Sequence, residues 1–232
     1  MQERTDTVQD KMENLTASAG SFMIKLMQEL YPIPRSLTGQ GVLDTLAIIR
    51  REIPELEIYS IESGANVFDW IIPREWNVNE AWILDPSGNI VCDFRDNFLH
   101  LVGYSDNVSG RFSLNELQKH LFSREDLPTA IPYVTSYYDD FWGFCLSHSN
   151  REALQLGTYT VKIDVEKKPG HLHFADLVLP GDLKDEILLS TYICHPNMAN
   201  NELSGIVLAV ALYKFLSEIP NRRYTYRIVF CS

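Results

Sequence analysis

The chain has 232 residues, 45% of them hydrophobic and 22% charged, with a formal net charge of −11. That is enough chain for one large or two modest folded domains. The charge excludes a nucleic-acid backbone or an anionic membrane as the main partner, because either needs a basic face and no local cluster of Lys and Arg supplies one.

Residues 1–20 are polar and mixed in charge, lack the apolar core of a signal peptide, and read as a solvated leader. Apolar residues at Phe22, Met23, Leu26, Met27 and Leu30 predict a helix over 21–30, which Tyr31-Pro-Ile-Pro-Arg35 ends. A second helix is predicted over 41–52, with Val42, Leu43, Leu46, Ile49 and Ile53 on its inner face, followed by an alternating strand over 56–61. From about 64 to 149 the texture changes to aromatics and turn residues. Short strands are predicted at 81–84, 90–94 and 99–104, with Asp85-Pro-Ser-Gly-Asn89 turning between the first two. A helix over 114–122 can be capped by Ser113, with Glu116 completing a capping box.

From 157 the α/β texture returns. Strands are predicted at 158–165 and 174–179 around a Lys-Lys-Pro-Gly turn, then a strand at 186–193, a helix at 204–218 and a strand at 224–231. An apolar strand directly before Ser232 suggests the N-terminal portion of a longer protein. The longest nearly unbroken apolar run, 206–216, falls short of the ~20 residues of a membrane span. The four cysteines (Cys92, Cys145, Cys194, Cys231) show no disulfide-framework spacing, which fits a reducing, cytoplasmic location.

Chemistry concentrates in residues 190–205, Ser-Thr-Tyr-Ile-Cys-His-Pro-Asn-Met-Ala-Asn-Asn-Glu-Leu-Ser-Gly. The segment joins a buried strand to an apolar helix, and the carboxyl ends of such strands are where open α/β sheets hold ligands. His195 sits at the strand end, Asn201 and Glu202 at the mouth of the helix, and Ser204-Gly205 open it, so backbone N–H groups there could hold an anion. Converging imidazole and carboxylate ligands suit zinc. The residues equally allow a bland reading, in which Asn197, Asn200 and Asn201 cap the helix and His195 is a structural hydrogen-bonder.

This loop resembles the first metal-binding segment of the co-catalytic zinc aminopeptidases, and more closely that of a bacterial group of aminopeptidase-like proteins. Tyr31-Pro-Ile-Pro-Arg-Ser-Leu-Thr-Gly39, Phe68-Asp-Trp-Ile-Ile-Pro-Arg-Glu-Trp76, Ile131-Pro-Tyr-Val-Thr-Ser-Tyr-Tyr138 and Trp142-Gly-Phe-Cys-Leu-Ser-His148 resemble that group's recurring segments. The resemblance implies a zinc ligand at His195, an orienting position at Asn197 and a position bridging two zincs at Asn201. Both carboxamides depart from the acidic residues of the family. Asn197 cannot lend an imidazole negative charge, and Asn201 is a poor bridge between cations; Glu202 could replace it only if the loop repacks. The family's general-base Glu follows the next strand, which here ends at Cys231, so this chain alone is expected to lack it and to be inert. The chemistry implied for an intact relative is metal-assisted hydrolysis of a peptide or amide, with zinc lowering the pKa of its water from about 9 toward ~7 and a Glu taking the proton.

Other clusters have blander readings. Cys145 and His148 form a Cys-x-x-His, but Trp142, Phe144 and Leu146 around the thiol suggest a buried apolar cysteine. His171 and His173 share a strand face beside a hairpin. The Tyr/Trp-rich segment 133–144 is either the core of a small β module or a surface for stacking sugars or peptides, and Asp139-Asp140 is a solvated turn. The expected fold is therefore α/β: a three-layer zinc-exopeptidase-like domain, incomplete at its C-terminus, made of 1–62 and 155–232, with a small β-rich domain, 63–154, inserted. The expected function is a zinc-dependent aminopeptidase-like hydrolase acting on a peptide or amide. The alternative is a catalytically silent binding or assembly protein of the same fold, in a surface-polysaccharide pathway. Oligomeric state is not legible.

Overall fold

A computed structural model describes residues 8–232, with side chains from Ser18 onward. It divides into two compact units. The first holds the residues up to Leu37 together with Gly41–Ser60 and His173–Ser232; the second holds Thr38–Gln40 and Ile61–Leu172.

The first unit is a sheet covered by helices. Its strands run in the order Glu57–Glu62, His171–Leu179, Thr225–Cys231, Glu186–Tyr192. The second pair is antiparallel and the last pair parallel, with Leu189 beside Ile228. Alternation sorts the side chains. Ala175, Leu177, Ile228 and Phe230 point into one apolar cluster with Leu46 and Ile49 of the helix Gln40–Glu52, Leu26 and Leu30 of the helix Val8–Leu30, and Ile206 and Val210 of the helix Ser204–Ser217. The opposite face carries Tyr59 stacked on Phe174 and the Arg227 ion pairs to Asp176 and Glu186. Among the described residues, the three long helices thus contribute to a single core on one face of the sheet. Truncating one of the fully buried residues, such as Leu46 or Ile228, would cost about 2–5 kcal/mol.

The helix Val8–Leu30 starts well before residue 21, so the expected leader is helical from Val8; residues 1–7 lie outside the described residues. The remaining helices and strands of this unit fall within a few residues of the periodicity-based expectation.

The second unit centres on an antiparallel sheet in the order Ile90–Asp93, Glu75–Leu84, Thr158–Lys168, Val108–Ser113. The turn before Ile90 forms as expected, because Asp85 Oδ1 accepts the Ser87 and Asn89 N–H groups at 2.8 Å each. The Ser113/Glu116 capping box also forms, but the α-helix it starts is only Leu114–Leu117; a 3-10 turn and a short strand replace the rest of the expected 114–122 helix. The expected strand 99–104 is instead a 3-10 turn, Phe98–His100, with single bridges at Leu101 and Gly103. The inserted unit extends beyond the expected 63–154. Thr158–Lys168 lies within it, since that strand pairs on both sides with Glu75–Leu84 and Val108–Ser113.

Candidate functional site

The ladder of Glu186–Tyr192 ends where Ile193 donates its N–H to Cys231 O at 2.8 Å, and Pro196 cannot donate another bond. Asn197 then takes a left-handed conformation (φ +49°), which Asn tolerates better than most residues. The chain re-enters a helix earlier than the Ser-Gly pair suggests. A π-helical turn, Ala199–Leu203, precedes Ser204–Ser217 without a break. Ser204 therefore does not open the helix: its N–H donates to Ala199 O and its hydroxyl to Asn200 O at 2.6 Å. The expected anion-binding helix end at Ser204 is corrected, because those donors are engaged inside the turn. Gly205 is required by packing, since a Cβ there would run into Thr191 Oγ1.

The wide turn places Glu202 inward. Its side chain is fully buried, with Arg35, equally buried, donating from Nε to Oε1 at 3.0 Å. Arg35 also binds His195 O through Nε at 3.0 Å and Leu30 O through Nη1 at 2.6 Å. Burial pulls the guanidinium below its usual range, and the Glu202 charge opposes that shift. Glu202 Oε2 receives the His195 backbone N–H and faces His195 Nδ1 at 2.7 Å. The imidazole is 22% exposed and meets the Tyr192 ring edge-on at 5.0 Å. Donation from Nδ1 to a carboxylate fixes the tautomer in which Nε2 is the basic nitrogen, the arrangement metal-ligating histidines use. Tyr192 OH donates to Asn201 O at 3.1 Å and to its Oδ1 at 3.2 Å.

Cys194, His195 and Glu202 form the one group of three or more potential metal donors among the described residues. They do not make a metal pocket of their own. Cys194 is buried, and burial pushes its thiol up to about 12. The Glu202 charge is already balanced by the equally buried Arg35 guanidinium, which would repel a second cation placed there. The fit to a metal is thus confined to Nε2 of His195, on the side of the ring away from this cluster. Asn201, turned to Tyr192, contributes a neutral carboxamide and no charge.

The loop thus brings His195 and Glu202 together, and links Asn201 to Tyr192. Sequence patterns missed Arg35. The available signal was a lone cation in a proline-bounded segment, with Glu202 the only acid in residues 190–205 able to balance it. The other thiol candidate is inert: Cys145 is fully buried and pushed up to about 12, while His148 Nδ1 lies 3.1 Å from Ser123 Oγ.

The fold is similar to that of solved zinc aminopeptidases. Similar solved structures include a zinc aminopeptidase from Bacillus subtilis (TM-score 0.59, 12% identity, 91% of this chain and 60% of that one). A peptidase M28 precursor from Shewanella amazonensis is comparable (TM-score 0.58, 11% identity, 96% of this chain and 66% of that one). At such identities the likeness is one of fold alone. A crystal structure from Clostridium acetobutylicum, of a protein provisionally described as a peptidase, is far more similar (TM-score 0.89, 40% identity, 97% of this chain and 52% of that one). A protein of the same organism, provisionally assigned to polysaccharide biosynthesis and carrying an aminopeptidase-like domain, is 41% identical over 215 residues. That match takes in 93% of this chain and 49% of the relative, so the chain spans about half the length of the curated relative it matches. Residues 24–232 match the family described as Domain of unknown function (DUF4910), and the chain belongs to that family.

Proposed function

We propose that this chain supplies one side of the metal site of a zinc-dependent aminopeptidase-like hydrolase, with Nε2 of His195 as a zinc ligand. The observation that carries this reading is the buried Glu202 carboxylate 2.7 Å from His195 Nδ1, at the end of a strand in a zinc-exopeptidase-like fold. Zinc, when bound, supplies polarisation of a scissile carbonyl and acidification of water. The chain's own residues do the rest: Glu202 holds the proton on Nδ1, Arg35 holds Glu202, and the Tyr192 ring limits the tilt of the imidazole. Asn201 is the weaker donor of the two carried by the family resemblance, since using Oδ1 means leaving the Tyr192 hydroxyl. The substrate class is a peptide or amide, and the other zinc ligands and the general base belong to the whole protein.

The bond from Tyr192 to Asn201 favours a second reading, a silent binding or assembly protein of the same fold. The relative named for polysaccharide biosynthesis is compatible with it. Hydrolysis of aminoacyl amides by the full-length gene product separates the two. The enzyme reading predicts turnover that a chelator abolishes and zinc restores. Absence of turnover across a panel of aminoacyl amides, from protein shown to hold zinc, would support the silent reading.

A further inference from the structure

A cleft of about 730 Å³ opens in the second unit, and its lining includes Arg74, Tyr104, Tyr137, Tyr138, Asp139 and Asp140. That volume suits a small ligand rather than a protein surface. Its aromatic wall is held in place by its own hydroxyls. Tyr138 donates to Ile71 O at 3.1 Å and still leaves its side chain largely in solvent, the residue being 61% exposed. The Tyr137 hydroxyl pairs with that of Tyr133 at 3.1 Å, and its ring meets Tyr104 edge-on at 5.3 Å. Tyr104 is stacked on Trp76 and bonded to Thr38 Oγ1 at 2.7 Å, yet its backbone is left-handed at φ +65°. A bulky residue persists in that conformation only where its surroundings over-determine it, and such residues cluster at ligand sites.

The polar groups divide into engaged and available. Asp106 is taken by Lys167 Nζ at 2.5 Å. Asp139, Asp140 and Arg74 are exposed and have no hydrogen bond or ion pair from their side chains among the described residues. The backbone at the rim is engaged too. Ile72 N–H goes to Ala65 O, Gly64 N–H to Ile72 O, Ser63 N–H to Gly170 O, and Gly170 N–H to Ser63 Oγ. These four rim donors are therefore not offered to a peptide adding itself as a strand. What the lining side chains offer a ligand is a ring face, carboxylates that accept and a guanidinium that donates. A sugar ring, with an apolar C–H face and a rim of hydroxyls that both donate and accept, matches that combination.

We infer that this cleft binds a hydroxyl-rich saccharide, stacked on Tyr138 with hydroxyls bonded to Asp139, Asp140 and Arg74. The inference does not depend on a metal at His195. Titration calorimetry of the full-length gene product with glucose-, galactose- and N-acetylglucosamine-based tetrasaccharides, and with tetra-alanine as the peptide arm, tests it. The expected result is binding of at least one tetrasaccharide and not of tetra-alanine. Tyr138→Ala should weaken it about tenfold, and Asp140→Asn should also weaken it. Tyr138 and Asp140 are both exposed, so both variants should keep the native circular-dichroism spectrum. Binding of none of the tetrasaccharides, binding of tetra-alanine instead, or sugar binding indifferent to both variants would overturn it. Saccharide binding that survives His195→Ala with zinc absent separates this site from the metal reading.

Discussion

Replacing Arg35 with Met probes the support of the strand-end loop. The Met side chain keeps most of the apolar stem but removes the ion pair to a fully buried Glu202, together with the bonds to His195 O and Leu30 O. Removing one partner of a buried pair leaves an uncompensated charge, at about 3–5 kcal/mol. In a protein of this size each kcal/mol moves the Tm by about 2–4 °C, so Arg35→Met should melt about 6–20 °C lower. Glu202→Gln leaves Arg35 as the orphan and should fall in a similar range. The double variant removes both charges, so its loss should be smaller than the sum of the two by about 0.5–3 kcal/mol. Thermal and urea unfolding followed by circular dichroism give the three differences. A shift below about 2 °C for Arg35→Met, or strict additivity in the double variant, would refute the buried-pair reasoning.

Three further outcomes follow from the packing. Gly205→Ala should destabilise by about 1–3 kcal/mol, because its Cβ meets Thr191 Oγ1, and Thr191→Ala should recover much of that loss; no recovery in urea unfolding would count against the close approach. In the native protein a thiol reagent at pH 8 should label Cys231 ahead of Cys92, Cys145 and Cys194, which burial shields and pushes upward, whereas denaturant should expose all four equally; rapid native labelling of Cys145 would contradict its place in the core. The Arg95 hydrogen bonds hold the Asp93 carboxyl below its usual value. A depressed carboxylate contributes stability above its unfolded pKa of about 3.9 and loses it as pH falls through the lower folded value. The urea midpoint difference between the wild type and Arg95→Ala, small for so exposed an arginine, should therefore be present at pH 6 and fade at pH 3; an equal difference at both values would reject the pairing.

Local signals were read well from sequence and distant ones were not. The helix Gln40–Glu52, the Asp85 turn and the Ser113 cap each depend on residues within a few positions of one another. The strand Val108–Ser113 went unseen because a short segment with Gly110 in its middle shows little pattern until it lies against Thr158–Lys168, about fifty residues on. The same distant pairing moved the boundary of the inserted unit. At the candidate site the position of His195 follows from the strand end. Its orientation does not, since it rests on Glu202 and on Arg35, 167 residues away from that glutamate. The Ser-Gly pair misled for a physical reason: a π turn extends the helix backward, and Gly205 serves the approach to Thr191 rather than a cap.

Zinc stoichiometry of the full-length gene product, measured by mass spectrometry on metal-free reagents beside the His195→Ala variant, tests the central claim most directly. The account predicts zinc in the wild-type protein that is lost, or reduced by at least one equivalent, in a folded His195→Ala variant. Equal zinc in the two proteins would contradict it.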